Sequence, residues 1–235
     1  MIKPYFETKL GKLYHGDCFE ILPHLGLDPS NSSLLIDPLY GDNVNLQRAK
    51  ENYTRKPRIL KGLRLQRYDW PEMPGNTKAL DPKPFLNFGQ AIIWGGNYIS
   101  EKLPPSRKWI VWDKLHIPPD HHQDCEMAWT NLPGVTRIHR QLWRGICREG
   151  EENISNGAKL HPFQKPIRLM LFCLEQFDFT SDPVVLDCYS GSGTTLLACE
   201  RLNRRWIGIE IEEKYCEIAA KRIERELQQT RLPGF

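Results

Sequence analysis

Residues 184–211 read VVLDCYSGSGTTLLACERLNRRWIGIEI, and this stretch restricts the fold more than any other. Three apolar residues, Val184 to Leu186, stop at Asp187. A Gly-Ser-Gly turn follows, a helical pattern opens at once on Thr194 and Thr195, and a second apolar run stops at Glu210. Short β-rich runs bounded by turn residues read as buried strands. Hydroxyls cap helix starts, and Leu196, Leu197, Cys199 and Leu202 sit at helical spacing behind them. Strand, turn, helix and strand in this order predict neighbouring parallel strands, whose ligands collect at the carboxyl ends.

The same grammar recurs along the chain. KLYHGD ends at Asp17, LLID at Asp37, AIIWGGN at Asn97 and KWIVWD at Asp113. The stretch EKYCEIAAKRIERELQQ places Tyr215, Ile218, Ala219, Ile223 and Leu227 on one face of a helix and its charges on the other. Proline-containing stretches at 57–84, 104–119 and 133–166 interrupt the pattern and read as insertions and loops. At 235 residues and 40% hydrophobic, residues 1–235 are expected to form one α/β domain around one core.

The opening residues lack the apolar centre of a signal peptide, and no run has the length of a bilayer span. A cytoplasmic protein with no membrane partner is the expectation. Seven cysteines, with no C-x-x-C pair, read as reduced thiols packed as small hydrophobes.

The net charge of +3 decides little, but its placement is uneven. Eight lysines and arginines fall between Arg48 and Arg67 against the single acid Glu51, enough to neutralise phosphates. Segments 44–75 and 134–158 are the candidate insertions for contact with a phosphate backbone, the alternative being solvated loops. In the second, Arg137, Arg140, Arg144 and Arg148 would form one basic face if the segment were helical.

The Gly-Ser-Gly turn lets a ligand approach the backbone, and Glu210 is placed to accept hydrogen bonds from ribose hydroxyls. The turn is hydroxyl-rich and lacks the lysine of a phosphate-cradling loop, so a nucleoside with an amino-acid tail suits it better than a nucleotide. The stretch resembles the S-adenosylmethionine motif of the amino-group DNA methyltransferases, D-P/C-F/Y-x-G-S-G-T-T followed by G-I-E. That resemblance implies that Asp187, Tyr189, Gly191, Ser192, Gly193, Thr194 and Thr195 line the methionine end and that Glu210 holds the ribose. Upstream, LHPFQKPIRLM resembles the family's H-P-T-Q-K-P element, with Phe163 in place of threonine. It makes His161, Gln164 and Lys165 candidates for the cofactor's carboxylate through charge-assisted hydrogen bonds.

The family's catalytic tetrapeptide is D-P-P-Y, S-P-P-Y or N-P-P-Y, and residues 37–40 read D-P-L-Y. The lone pair of an exocyclic amine on a base is delocalised into the ring. A carboxylate and a backbone carbonyl accepting its two N–H bonds localise that pair and stabilise the charge that develops during attack. By resemblance Asp37 is the carboxylate, also facing the cofactor, Pro38 supplies the carbonyl, and Tyr40 stacks on the flipped base. Leu39 replaces a proline whose task is conformational, so a working site is expected.

LYHGDC resembles the element whose acid meets the cofactor's adenine, here Asp17. AIIWGGNYISEKLPPSRKWIVWDK resembles the W-G-G-N-Y and W-x-x-W-D-K stretches of phage-type members, which makes Trp94, Asn97 and Tyr98 candidates for the base pocket. The tetrapeptide precedes the cofactor motif, the order of the permuted β-class. The sheet implied is the Rossmann-like methyltransferase sheet, mostly parallel with one reversed strand, assembled from both ends of the chain.

His116, Asp120, His121, His122, Asp124 and Cys125 are zinc-ligand types without regular ligand spacing, and methyl transfer from a sulfonium needs no metal. That string reads as a polar surface loop. A cytosine-C5 enzyme would need a nucleophilic cysteine, usually in a Pro-Cys pair, which the chain lacks. Asp at the first tetrapeptide position is commoner in adenine-N6 members and Ser in cytosine-N4 members. The resemblance therefore implies adenine-specific methylation of double-stranded DNA in a bacterial or phage-infected cell, as in restriction-modification. Cytosine-N4 transfer and a silent, ligand-binding relative stay open, as does pairing into a homodimer.

Overall fold

The computed structural model describes residues 2–39, 59–60, 63–64, 80–115, 123–144, 147–149 and 160–229. In chain order its principal elements are β1 (Phe6–Glu7), β2 (Gly11–His15), α1 (Cys18–Ile21), β3 (Ser32–Ile36), β4 (Ile59–Leu60), β5 (Leu63–Arg64) and β6 (Gln90–Trp94). There follow β7 (Trp109–Asp113), β8 (Cys125–Thr130), β9 (Arg137–Arg140), β10 (Trp143–Arg144), β11 (Cys147–Arg148) and α2 (Ile167–Leu174). The last described elements are β12 (Val184–Asp187), α3 (Thr194–Arg201), β13 (Trp206–Glu210) and α4 (Glu213–Gln229). Two compact units are distinguished, Met1–Pro38 with Pro82–Phe235 and Leu39–Asp81. Within the second, β4 and β5 pair as an antiparallel hairpin.

The larger unit is built on a nine-stranded sheet in the order β1-β2-β13-β12-β3-β6-β8-β7-β9. The two C-terminal strands sit side by side between N-terminal ones: β13 pairs with β2, β12 with β13, and β3 with β12, all in parallel. All five residues of β3 are buried, as expected of a strand covered on both faces. The core gathers Leu13, Leu35, Ile92, Ile110, Val185 and Trp206 from the strands with Leu169, Leu196 and Ile223 from the helices. Side-chain alternation and helical spacing thus bring these residues together from sequence-distant segments.

Three expectations change. The sheet has two reversed strands rather than one: β8 runs antiparallel to β6 and β7, and the two-residue β1 runs antiparallel to β2. The string expected as a surface loop reaches a strand at its end: Asp124 and Cys125 are exposed, but Cys125 is the first residue of β8, whose Ala128, Trp129 and Thr130 are buried in mid-sheet. The arginine series is not on a helix: Arg137 and Arg140 lie on strand β9, which pairs parallel with β7. Arg144 and Arg148 lie on the hairpin β10–β11. Strand pairing decides here, because β9 supplies main-chain partners to an otherwise open edge.

The segment 44–75 lies outside the described residues apart from β4 and β5, as do 145–146, 150–159, His116, Asp120, His121 and His122. Among the described residues no helix is long and apolar enough to cross a membrane.

Candidate active site

Because β2, β13, β12, β3 and β6 run in one direction, their carboxyl ends share one edge of the sheet. His15, Glu210, Asp187, Ile36 and Trp94 close those strands, so Asp17, Asp37, Asp187 and Glu210 arrive on that edge from four loops. The reversed β8 presents its amino-terminal half there instead, opposing Glu126 to Trp112 and Ala128 to Trp94.

The glycine turn between β12 and α3 is tightly made. Gly191 (φ +51°) and Gly193 (φ +77°) take the left-handed conformation that side chains disfavour. A Cβ on Gly193 would stand 2.7 Å from that of Ala219 on α4, and one on Gly191 would reach the His161 ring at 3.4 Å. The turn is tied from behind by Arg222 of α4, whose guanidinium donates to the Ser192 carbonyl at 2.6 Å and to the Ser192 and Thr194 hydroxyls at 3.1 Å. Arg222 is a residue the sequence reading missed. On its own it is one of several charges on an amphipathic helix.

Glu210 accepts from the Gly191 N–H at 2.7 Å and from the Glu212 N–H at 2.9 Å. The Gly16 N–H donates to the Glu210 carbonyl at 2.9 Å, which joins the Asp17 loop to the Glu210 loop. Asp17 caps α1 through the Phe19 N–H at 2.7 Å. Asp187 is buried and accepts from the Tyr189 N–H at 3.0 Å. Burial first, opposed by hydrogen bonds from Thr195 and Tyr189 and reinforced by the charges of Asp37 and Glu210, pushes Asp187 up to about 7. Burial likewise raises Glu210. These carboxyls are short of positive charge.

The opposite holds one loop away. Lys165 stands just before α2, its ammonium 2.5 Å from Asp37 Oδ2 and 3.0 Å from Glu126 Oε2. Lys114, at the end of β7, closes on Glu126 Oε1 at 2.5 Å. Burial would raise Glu126, but the charges of Lys165 and Lys114 outweigh it and hold the carboxyl down at about 2. Burial would lower Lys165, and the charges of Asp37 and Glu126 overturn that and raise it well above the ordinary lysine value. Each ammonium also lies near the indole of a strand residue. Lys165 is 5.8 Å from the Trp94 ring centre and Lys114 5.0 Å from that of Trp112.

These contacts locate each expected residue. Asp37, Lys165 and Trp94 come together, with Trp94 wholly buried behind the ammonium. Lys165, expected at the cofactor's carboxylate, pairs with Asp37 and Glu126. His161 lies against the glycine turn, edge-on to Tyr215 with ring centres 4.3 Å apart. Gln164 turns its side-chain oxygen to the Leu160 N–H at 3.0 Å. Tyr189 is half-buried and edge-on to Phe85. Asn97 is exposed, and the Tyr98 hydroxyl accepts from Gln123. Pro38 is buried, and Tyr40 lies outside the described residues. Glu126, the hub of the ion cluster, was not foreseen. Its string reads as polar and proline-broken, and nothing in its spacing marks one acid as buried.

Bare backbone at Gly191 and Gly193, with two acids held above their usual range, fits a ligand that carries positive charge and hydroxyls. S-adenosylmethionine, with its sulfonium, ammonium and ribose, is such a ligand.

A family model described as DNA methylase, for N6/N4 methyltransferases, matches residues 100–221. The type II methyltransferase M2.LlaDCHI of Lactococcus lactis subsp. cremoris is 36% identical, over 96% of this chain and 93% of its own length. M.BamHI of Bacillus amyloliquefaciens is 27% identical over 99% of this chain, which spans 62% of that relative. The crystal structure of the M1.HpyAVI–SAM complex superposes with a TM-score of 0.53 at 25% identity, over 91% of this chain and 100% of that one. By the family match and this kinship, carried on a sheet edge that gathers the glycine turn and the four acids, the chain belongs to the N6/N4 DNA methylase family.

Proposed function

We propose that this chain transfers a methyl group from S-adenosylmethionine to the N6 amino group of adenine in double-stranded DNA. The observation that carries the reading is Asp37, paired with Lys165 at 2.5 Å on the same sheet edge as the glycine turn and Glu210. Gly191, Gly193, Asp187 and Glu210 would hold the cofactor, which supplies an electrophilic methyl on a sulfonium.

Asp37 would accept one N–H of the incoming amine and the Pro38 carbonyl the other, so that the nitrogen lone pair turns toward the electrophile. The ion pair with Lys165 stabilises the Asp37 anion, which suits an acceptor of a hydrogen bond more than a base that must bind the proton; as the N–C bond forms, the S–C bond breaks to leave a neutral thioether, and the amine's surplus proton passes to water. A carboxylate in place of the serine frequent in cytosine-N4 members favours adenine. The extrahelical base requires flipping out of the duplex, for which segments 44–75 and 134–158 are the proposed DNA-contacting parts of a single methyltransferase domain. The setting is the cytoplasm of a cell with a restriction-modification system.

The test is transfer of isotope-labelled methyl from S-adenosylmethionine to unmethylated genomic DNA, with RNA and protein as parallel acceptors and Asp37→Ala as control. Label in DNA, lost in the control, supports the reading. Label in RNA or protein only would overturn the substrate. Cofactor binding without label in any acceptor would support a silent site, and Leu39→Pro would then show whether the tetrapeptide had decayed.

A further inference from the structure

Four charged side chains line up as Lys114, Glu126, Lys165 and Asp37, with alternating sign and contacts of 2.5, 3.0 and 2.5 Å. Only the last belongs to the tetrapeptide. The others come from the end of β7, from β8 and from the turn before α2, and the indoles of Trp112 and Trp94 lie beside the two ammonium groups. Charges buried to this degree are retained at a cost unless each is paired, so a row of four calls for an explanation that packing alone does not give.

We propose that Glu126, anchored by Lys114, is a positioning residue for methyl transfer. It holds the Lys165 ammonium beneath Asp37 and takes a share of its charge, so that Asp37 stays anionic yet able to accept from an amine. This rests on the methyl-transfer reading above.

The physical argument is one of competition. An ammonium has three donors and no acceptor. With Asp37 as sole carboxylate partner, Lys165 would be drawn fully onto it, and an N–H of the base would have to displace a buried ion pair. Glu126 supplies the second carboxylate, and β8, paired with a strand on each side, fixes where it stands. Lys114 in turn occupies the other Glu126 oxygen, so that Glu126 is not pulled wholly to Lys165. Formal charge over the four groups sums to zero.

Other groups share this neighbourhood. Asp187 at the end of β12 senses the Asp37 charge and also that of Glu210 at the end of β13. The Cys173 thiol on α2 senses Lys165 and is driven up by burial, so it remains neutral. Asp187 is a carboxyl whose charge would disfavour that of Asp37. Lys165 and Lys114 are the cations acting in its favour among the groups named.

Two variants with opposite expected effects separate positioning from mere support of the fold. Glu126→Gln keeps the shape and removes an anion, so the Asp37 titration midpoint falls. Lys114→Met removes a cation and leaves Glu126 to draw Lys165 away, so the same midpoint rises. The midpoint is read by carboxyl carbon NMR on aspartate-labelled protein, with Asp37→Asn identifying the resonance. In single-turnover transfer to DNA, both variants lose about tenfold or more in kcat, with KM for S-adenosylmethionine nearly unchanged and the acid limb moving with the midpoint. Midpoints that stay put, or that move the same way in both variants, would overturn the proposal. If the unaltered protein transfers no methyl to DNA, the functional reading fails separately, and the NMR midpoints still decide whether Glu126 positions Asp37.

Discussion

Lys165 Nζ lies 2.5 Å from Asp37 Oδ2 across 128 residues of sequence, with Glu126 Oε2 3.0 Å from the same ammonium. The side chains of Lys165 and Asp37 are 9% and 20% exposed. Substituting Lys165→Met would leave two carboxylates facing each other without that cation. The expected loss is about 3–5 kcal/mol of unfolding free energy, the usual cost of removing one partner from a buried pair. Urea unfolding at neutral pH measures it, and a loss within experimental error would mean that the pair is solvated.

Acid should unfold the protein partly through Glu126. Its folded value of about 2 lies below the 4.5 of an ordinary glutamate. Its contribution is therefore complete above about 4.5 and is lost as pH falls from there toward about 2. Glu126→Gln should be less stable at neutral pH and should show a flatter decline in that window. Equal slopes in the two proteins would contradict the pairing.

Asp187 carries the opposite sign. Its folded value of about 7 lies above the ordinary 3.8, so the native state retains a proton that the unfolded chain has released. The associated stability is complete below about 3.8 and is lost as pH rises through about 7. A cationic cofactor should reverse this by favouring the anion. S-adenosylmethionine is expected to release protons on binding below pH 7 and to bind more tightly as pH rises through that value. Calorimetry in buffers of different ionisation enthalpy tests both, and Asp187→Asn should abolish the proton release.

Much of this edge is legible in the sequence. The apolar runs that stop at Asp37, Asp187 and Glu210 are strands β3, β12 and β13, and the amphipathic stretch from Glu213 forms α4. Period and turn residues are local signals, and they carry that far. What escapes is the product of distant pairing. Glu126 is half-buried near the start of β8, just after a histidine- and proline-rich string, so its burial depends on distant strands pairing on both sides of β8. The arginines between 137 and 148 fit a helical period by number, but β7 offers Arg137–Arg140 a strand partner. The partners of Lys165 come from β3 and β8, and no spacing rule links those segments.

Two glycines with similar backbone angles should respond differently to alanine. Gly193 has φ +77° and would bring a Cβ within 2.7 Å of the Ala219 Cβ, whereas Gly26 has φ +62° with nothing within 4 Å of the added carbon. Gly26→Ala should cost only the left-handed penalty of about 1–2 kcal/mol. Gly193→Ala should cost more, because α4 or the turn must also move, and should weaken S-adenosylmethionine binding. Thermal unfolding and cofactor titration of the pair would show it. Equal losses would mean that the turn yields freely.

The most direct measurement is the identity of the methylated base. DNA treated with the protein and labelled S-adenosylmethionine is digested to nucleosides and resolved by mass spectrometry. The account predicts labelled N6-methyladenine, absent with Asp37→Ala. Labelled N4-methylcytosine in its place would contradict the proposed base, and label that persists with Asp37→Ala would contradict the role given to the carboxylate.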